Sequence, residues 1–166
     1  MVDTTIYNTR EAAIGASLQE VMDPEIPVLS VIDLGIIEDV IIHGDSVIVM
    51  MLPTFTACPA IKLLQSQIKE KVMSLGYGNV EVKVDDAIAW SSDRMTAEGK
   101  IKLEKFGLGT PLHHGGSFDL AAIEHSGCPH CGSANTTMNS LFGSTLCRSM
   151  HYCFDCKQGF ERFKPL

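Results

Sequence analysis

Two Cys-x-x-Cys motifs restrict the fold of this chain more than any other feature. The first spans Cys128–Cys131, the second spans Cys153–Cys156, and 21 residues separate them. A divalent ion such as Zn²⁺ takes four thiolates tetrahedrally at about 2.3 Å, and two such motifs joined by a hairpin supply that geometry. The pattern therefore predicts a small β ribbon whose metal ligands are Cys128, Cys131, Cys153 and Cys156.

The metal should stabilise the ribbon directly. A segment of about 40 residues, here 127–166, has too small a core to fold alone. Thiolates bind zinc and iron alike, so the spacing does not choose between them, and zinc is the default for a structural ribbon. A pair of redox dithiols is the alternative interpretation of the same cysteines.

The fifth cysteine of this segment, Cys147, has three interpretations. It could replace one of the four ligands, serve a second metal state, or pack as a small apolar side chain. We favour packing, because four thiolates already complete a tetrahedron. For the same reason, His130 and His151 are expected at the surface or beside the ligands and not on the metal.

Hydrophobic periodicity predicts an α+β domain over residues 1–108. Three stretches repeat apolar residues at helical spacing, and three more are β-branched or alternate apolar with polar residues. The predicted helices cover residues 9–22 and 59–75, and a third helix begins at a cap, Ser92 or Asp93, and ends at about residue 106. The predicted strands cover residues 36–42, 46–52 and 80–84. The order αββαβα packs most simply as a small mixed sheet with helices on one face.

Residues 109–126 are rich in glycine and lack periodicity, which is typical of a linker. His113 and His114 lie within this stretch and are assigned to the linker, because nothing nearby completes a metal site. The predicted organisation is therefore a domain over residues 1–108, a linker, and a four-cysteine zinc-ribbon β module over residues 127–166.

Charge supports two modules and excludes some partners. The net charge is −7; residues 1–126 carry 9 basic and 18 acidic side chains, whereas residues 127–166 carry 4 and 2. An acidic chain has no general affinity for nucleic acid, whose phosphates require a basic surface. No stretch approaches the ~20 apolar residues of a membrane span, and no signal-peptide pattern is visible. We expect a cytoplasmic protein with neither a membrane nor a nucleic acid as its partner.

Cys58 precedes the next cysteine by 70 positions. Proline is favoured at the first position of a helix, so Pro59 predicts Cys58 at the N-cap. There the helix dipole would lower the pKa of the thiol, and Lys62, Thr54 and Thr56 would add a positive charge and hydroxyl groups. The alternative is a small buried residue that closes a strand-to-helix turn. The local pattern leaves both interpretations open.

Three carboxylates near turns are the other candidates in this domain: Asp23, Glu25 and Asp33. Polar side chains beside proline and glycine usually cap turns, and that is the commoner role. Metal binding together with Cys58 is the alternative, since thiolate plus carboxylate suits labile iron.

Several segments form specific motifs, namely DPEIPVLSVIDLGII (Asp23–Ile37), TFTACPA (Thr54–Ala60), WSSDRMTAEGKIKLEKFGL (Trp90–Leu108) and the later CPHCGS, FGSTLCR and YCFDCKQGFERFK. In these motifs, which run along nearly the whole chain, the sequence resembles the PaaD family of phenylacetate-degradation proteins. That family is the accessory D component encoded with the subunits of the ring-1,2-phenylacetyl-CoA epoxygenase. Residues 1–108 also resemble the broader metal–sulfur cluster assembly domain related to SufT and the cytosolic iron–sulfur targeting proteins.

The resemblance implies roles for single residues. Cys58 is the cysteine of the Thr-x-x-x-Cys-Pro motif that begins at Thr54, and the family is regarded as using it as the functional thiol. Asp23, Glu25 and Asp33 lie in the same signature.

The resemblance also implies a non-enzymatic maturation factor. Such a protein holds iron or an iron–sulfur cluster transiently and delivers it to the oxygenase or reductase component of the epoxygenase. Iron–sulfur assembly proteins are further expected partners. One functional cysteine per chain suggests a homodimer that bridges a cluster.

Two other functions remain as alternatives. An enzyme would use Cys58 as a nucleophile and His43, the only histidine of the first domain, as its base. A binding module would use the zinc ribbon as a protein scaffold of the oxygenase complex without metal transfer. Phe154, Phe160 and Phe163 would then form a docking patch, although we favour packing in the ribbon core.

Overall fold

The computed structural model describes residues 4–54, 59–115, 123–124 and 126–166, with the backbone alone for residues 4–8. The chain divides into two compact units, Met1–Ala89 and Trp90–Leu166. In the part of the chain described, no helix has the length and apolar character needed to cross a membrane.

The first unit is a three-stranded mixed sheet with two helices. Its elements are α1 (Thr4–Leu18), β1 (Ile37–His43), β2 (Ser46–Met51), α2 (Ile61–Met73) and β3 (Asn79–Val84). β1 and β2 form an antiparallel hairpin, and β3 adds parallel to β2. α2 provides the crossover that a parallel strand pair requires, and α1 contacts both α2 and β1.

Apolar periodicity determines which faces of this unit are buried. α2 buries Leu64, Ile68 and Val72 and contacts β3, whose Val80 is also buried. The hairpin between β1 and β2 turns at Gly44, where a φ of 60° is accessible because glycine has no Cβ. The core of the first unit therefore lies between the sheet and its helices.

The second unit combines one α-helix with a three-stranded antiparallel sheet. Its elements are a 3-10 helix (Ser92–Arg94), α3 (Ala97–Lys105), β4 (Thr136–Ser140), β5 (Arg148–Cys153) and β6 (Gly159–Phe163). The strands lie in the order β4-β5-β6. Trp90 packs edge-on against Phe163 with ring centroids 5.8 Å apart, and the Ser92 N–H donates to the Leu166 carbonyl at 2.8 Å. The beginning and end of this unit are thus in contact.

The predicted α+β class and the order αββαβα are confirmed, but two helix boundaries differ. α1 spans Thr4–Leu18, not residues 9–22, because after Leu18 the chain tightens into a turn in which Val21 N–H donates to the Leu18 carbonyl. α3 begins one turn later than predicted. Thr96 is its N-cap, since the Thr96 hydroxyl accepts the Gly99 N–H at 2.9 Å, whereas the predicted caps form the 3-10 helix before it.

The compact units do not coincide with the predicted boundaries at residues 108 and 126. α3 belongs to the second unit, and the first described part of the predicted linker is bound to β6. The Gly109 N–H donates to the Glu161 carbonyl at 2.8 Å, and the Phe163 N–H donates to the Gly109 carbonyl at 2.9 Å. Glycine permits this approach, because a Cβ at position 109 would lie 3.1 Å from the Arg162 side chain. Residues 116–122 and 125 lie outside the described residues.

Candidate metal centre and the Cys58 region

The four predicted ligands converge in the second unit. The sulfur atoms of Cys128, Cys131, Cys153 and Cys156 all lie within 4.8 Å of one another. Two of the edges, Cys128–Cys156 and Cys131–Cys153, measure 3.6 Å between sulfur atoms. A tetrahedron with metal–sulfur bonds of about 2.3 Å has edges of about 3.8 Å. The arrangement of these thiols therefore fits a zinc-sized ion.

Each Cys-x-x-Cys turn, with the residue after it, forms a knuckle: Cys128–Gly132 is the first and Cys153–Lys157 is the second. In the first, the Gly132 N–H donates to the Cys128 carbonyl at 2.8 Å; in the second, the Lys157 N–H donates to the Cys153 carbonyl at 3.0 Å. The closing residues have φ values of 74° and 62°.

The first knuckle closes at a glycine, whereas the second closes at a residue that has a Cβ. Lys157 takes the left-handed position itself, and Gly159 already belongs to β6. A positive φ costs a lysine roughly 1–2 kcal/mol, so the second knuckle forms against a local preference.

Backbone N–H groups tune one of the four thiols. The backbone N–H of Cys156, with that of Asp155, lowers the pKa of the Cys153 thiol to about 7. Burial raises the pKa of the Cys156 thiol to about 12. One sulfur therefore ionises readily near neutral pH, and binding a cation at the others displaces protons, which makes metal affinity pH-dependent.

The Asp155 side chain joins the two knuckles. Its carboxylate accepts the Ser133 hydroxyl at 2.5 Å and the Asn135 side-chain amide at 2.8 Å. These two hydrogen bonds, that of Ser133 first, lower the pKa of the Asp155 carboxyl. The Phe154 N–H adds a backbone link to the Asn135 carbonyl at 2.9 Å. Sequence reasoning missed this link, because nothing local to Asp155 indicates a partner about 20 residues earlier.

The two histidines beside the ligands lie where the sequence predicts, outside the four-sulfur group. His151 is buried, stacks on Phe160 with ring centroids 5.4 Å apart, and its Nε2 lies 2.8 Å from the Ser149 hydroxyl. His130 is exposed and lies edge-to-face with the same phenylalanine, with ring centroids 6.4 Å apart. Both rings pack beside the cage of thiols.

The remaining ribbon candidates divide between core and surface. Cys147 is half-buried outside the sulfur group, with its Sγ 3.1 Å from the Thr145 hydroxyl, as the packing interpretation predicts. Phe160 and Phe163 are buried, whereas Phe154 is 45% exposed. Two of the three phenylalanines therefore belong to the core and only Phe154 is available to a partner.

The two histidines of the predicted linker hold it to the second unit. The His113 Nδ1 lies 2.8 Å from an Asp93 oxygen, and the Gly115 N–H donates to the same carboxylate at 2.8 Å. The buried His114 side chain places its Nε2 2.9 Å from the Leu166 carbonyl and 3.2 Å from the Ser91 hydroxyl. Within the described residues neither histidine joins a group of three or more metal-ligating side chains.

In the first unit, two candidate carboxylates cap turns. Asp33 is buried, its carboxylate accepts the Ser30 N–H at 3.0 Å, and its own N–H donates to the Ser30 hydroxyl at 2.9 Å. Asp23 accepts the N–H groups of Glu25 and Ile26 at 2.9 and 2.7 Å. Capping is thus a visible role of Asp23 and Asp33.

Cys58 lies outside the described residues, but its flanks are described. The N-cap of α2 is Ala60, whose carbonyl accepts the Leu64 N–H at 2.9 Å. The predicted N-cap position for Cys58 is therefore wrong by two residues: the helical turn closes later than Pro59 suggests.

Two candidate residues, Asp33 and Thr54, lie at one end of the sheet of the first unit, here called the candidate end. The Leu52 N–H donates to the Ile36 carbonyl at 2.8 Å, so the turn that holds Asp33 and the half-buried Thr54 leave the hairpin at the same end. β3 ends there too, since the Asp85 N–H donates to the Met51 carbonyl at 2.9 Å. The carboxyl ends of parallel strands are where α/β sheets bind ligands.

His43 occupies the other end of the hairpin. It is the last residue of β1 and pairs with Ser46, the first residue of β2. Six residues of strand, about 20 Å, separate it from Ile37 at the candidate end. The segment that leads from β2 toward Cys58 therefore leaves the sheet far from His43, the base that an enzyme with Cys58 as its nucleophile would need.

Comparison with protein families assigns both regions to known classes. Residues 11–84 match the family model described as iron-sulfur cluster assembly protein, and residues 115–164 match the model described as PaaD zinc beta ribbon domain. The chain therefore contains a region similar to iron–sulfur cluster assembly proteins, followed by a region similar to the zinc beta ribbon of PaaD.

A relative from Escherichia coli strain K12, the D component of the "Putative 1,2-phenylacetyl-CoA epoxidase", is 35% identical over 160 residues, which cover 96% of each protein. The chain belongs to the family of this epoxidase component, the PaaD family.

Two further likenesses concern the first part of the chain. An "Fe-S protein maturation auxiliary factor" from Porphyromonas gingivalis is 36% identical over 88 residues, covering 52% of this chain and 83% of that protein. The crystal structure of a domain of unknown function, DUF59, from Bacillus anthracis superposes with a TM-score of 0.54 at 27% identity, covering 58% of this chain and 92% of that one. The first likeness agrees with the iron–sulfur assembly class, and the second shows the fold of this part of the chain.

Proposed function

We propose that this protein is a non-enzymatic maturation factor that carries iron or an iron–sulfur cluster to a component of a phenylacetyl-CoA epoxidase system through the Cys58 thiolate. The family match of residues 11–84 supports the assembly role, and the relative from Escherichia coli supports the recipient. The zinc of the ribbon is, in this proposal, structural.

The observation that carries the proposal is the self-sufficiency of the four-sulfur cage. Four thiols fit one tetrahedral ion, so the ribbon does not need a ligand from elsewhere. Cys58 is the only cysteine before residue 128. A single thiolate holds iron weakly, which suits a cargo that must leave, and exchange of one iron–thiolate bond for another at the recipient needs no net oxidation or reduction.

The carboxylates have a defined place in this proposal. Asp33 and Asp23 shape the turn at the candidate end of the sheet by accepting backbone N–H groups. Glu25 and Thr54 are the further candidates there, both half-buried. We propose that any contact of this group with iron supplements the thiolate, and that a second copy of the chain supplies the other thiolate when the cargo is a bridged cluster.

The test compares three cysteine variants in the full chain. We expect Cys58→Ala to lose bound iron and sulfide in anaerobic analysis, and to leave the partner reductase short of iron–sulfur cluster, while its zinc content stays unchanged. Cys128→Ala should lose zinc. Cys147→Ala, a thiol outside the cage, should behave as wild type. Full maturation of the reductase by Cys58→Ala would overturn the proposal.

A scaffold function is the second candidate, and one observation favours it. The segment between β4 and β5 exposes Phe142 and Leu146 at 62% and 46%, and Phe154 is exposed nearby in sequence on the second knuckle. Apolar side chains at such exposure are typical of protein contacts. Under a scaffold function, Phe142→Ser would weaken binding to the epoxidase components and Cys58→Ala would leave maturation intact, which separates it from metal delivery.

A further inference from the structure

The carboxylate of Asp155 connects the two knuckles at the side of the cage where the ligands are exposed. Cys128 and Cys153 are buried against Phe160, whereas Cys131 is exposed and Cys156 is intermediate. Cys156 packs against the same cluster but is only partly buried, so core packing holds two ligands fully, Cys156 in part and the exposed Cys131 least.

Asp155 lies next to one of the less buried ligands and reaches the residues that follow the other. It directly precedes Cys156, and Ser133 is two residues after Cys131. One carboxylate oxygen accepts the Ser133 hydroxyl at 2.5 Å, and the other accepts the Asn135 amide at 2.8 Å. The Ser133 hydroxyl in turn accepts the Asn135 N–H at 3.0 Å. The chain between Cys131 and β4 is thereby tied to the second knuckle.

We infer that Asp155 is a positioning residue of the metal centre: its carboxylate holds the less buried ligands of the two knuckles in register and so slows the release of bound zinc. Release begins where ligands can leave the metal and meet solvent, which is the side that this link restrains. Residues that orient metal ligands through hydrogen bonds typically change metal affinity 10- to 100-fold. The inference rests on the proposed zinc site.

The hydrogen bonds of Asp155 suggest a substitution that tests this role directly. A carboxylate accepts two hydrogen bonds from Ser133 and Asn135, whereas an asparagine side chain has only one oxygen. Asp155→Asn keeps the shape but removes the charge, so that the two charge-assisted bonds are replaced by weaker bonds between neutral groups or lost. Asp155→Asn combined with Asn135→Asp exchanges amide and carboxylate: the bond between positions 135 and 155 can form again with donor and acceptor reversed, while the Ser133 hydroxyl still donates to the side-chain oxygen at position 155. Because Asn135→Asp restores a negative charge close to the cage, the exchange alone does not separate hydrogen bonding from charge; Ser133→Ala does, since it removes one bond and leaves every charge in place.

The experiment measures the rate at which the zinc-loaded full chain gives zinc to excess 4-(2-pyridylazo)resorcinol. We expect Asp155→Asn to release zinc about tenfold faster than wild type, and the exchanged double variant to return to within about threefold of wild type. Glu104→Gln removes an exposed carboxylate elsewhere in the second unit and should release zinc at the wild-type rate. Ser133→Ala, which removes one of the same bonds without changing the second knuckle, should also accelerate release.

Equal release rates for Asp155→Asn and wild type would overturn the inference, as would fast release that the exchanged variant does not slow. If Asp155→Asn does not fold, a wild-type rate for Ser133→Ala overturns it instead. A wild-type chain that holds no zinc refutes the proposed zinc site itself, and that outcome is visible before any rate is compared.

Discussion

The four-thiol cage and the Cys58 region use polar side chains beside turns in opposite ways. In the second unit, four sulfur atoms point at one another, and the neighbouring Asp155 supports their arrangement. In the first unit, the described carboxylates of Asp23 and Asp33 accept backbone N–H groups. The comparison teaches that convergence of side chains, more than residue type, distinguishes a preformed metal site from a turn that carboxylates cap.

The largest expected effect is the loss of zinc, which should unfold the ribbon and leave the first unit folded. Cys153→Ala should abolish zinc binding and unfold the ribbon, because a structural zinc site contributes on the order of 10 kcal/mol to folding. The first unit, which has its own core, should keep its protection from hydrogen exchange. Metal analysis and hydrogen-exchange mass spectrometry check this, and one zinc retained per chain would contradict it.

Removal of the buried cap in the first unit should have the next largest effect. Asp33→Ala leaves the buried Ser30 N–H without its carboxylate partner, which we expect to destabilise this unit by about 2 kcal/mol. Hydrogen exchange of peptides from β1 and β2 measures the loss. Asp86→Ala, at an exposed carboxylate, is the matched control. If both variants are equally stable, capping is not the main role of Asp33, and that result would favour a role as a metal ligand.

Replacing Asp93 should lower the stability of the second unit by an amount that depends on pH, because its carboxylate acts as a cap there. Although desolvation by burial raises the pKa of Asp93, hydrogen bonds from His113, Gly115 and His114 hold it below its ordinary value of 3.8. Because the folded pKa is lowered, this stabilisation is present above pH 3.8 and is lost as the pH falls through the lower folded value.

Asp93→Asn should therefore be less stable than wild type by about 1 kcal/mol at about pH 5, and the gap should narrow below pH 3.8. Thermal unfolding followed by fluorescence of Trp90, the only tryptophan, reports on this unit. A difference in stability between variant and wild type that widens as the pH falls would contradict this prediction.

The smallest effects concern the residues that close the two knuckles. Gly132→Ala should destabilise the ribbon by about 1 kcal/mol, because it places a Cβ at a φ of 74° with no neighbouring atom to clash. Lys157→Gly should stabilise it by less than about 1 kcal/mol, since relief of the positive φ is partly offset by the entropy of glycine. Midpoints of zinc-bound thermal unfolding compare the two, and a loss of stability in Lys157→Gly would show that its side chain has a further role.

Sequence reasoning located the sheet hairpin, α2 and the four cysteines well because each depends on local patterns. Alternation and helical spacing decide which faces are buried, and the Cys-x-x-Cys spacing limits each knuckle to a tight turn. It placed Cys58 at the N-cap of α2, whereas the helix is capped at Ala60, since the exact closing of a turn depends on contacts beyond the neighbouring proline. It assigned residues 109–126 to a linker, because glycine and histidine give no sign that Asp93 and β6 will bind the part that is described, residues 109–115.

The sequence by itself determined the class of this protein: an α+β domain that contains a single cysteine, followed by a four-cysteine ribbon. Only the tertiary structure decided that Asp155 ties the two knuckles together and that Asp93 fastens the segment after α3. The physical reason is the separation of the partners. Spacing within a few residues fixes turns and faces, whereas hydrogen bonds between residues about 20 positions apart exist only once the chain has folded and brought them together.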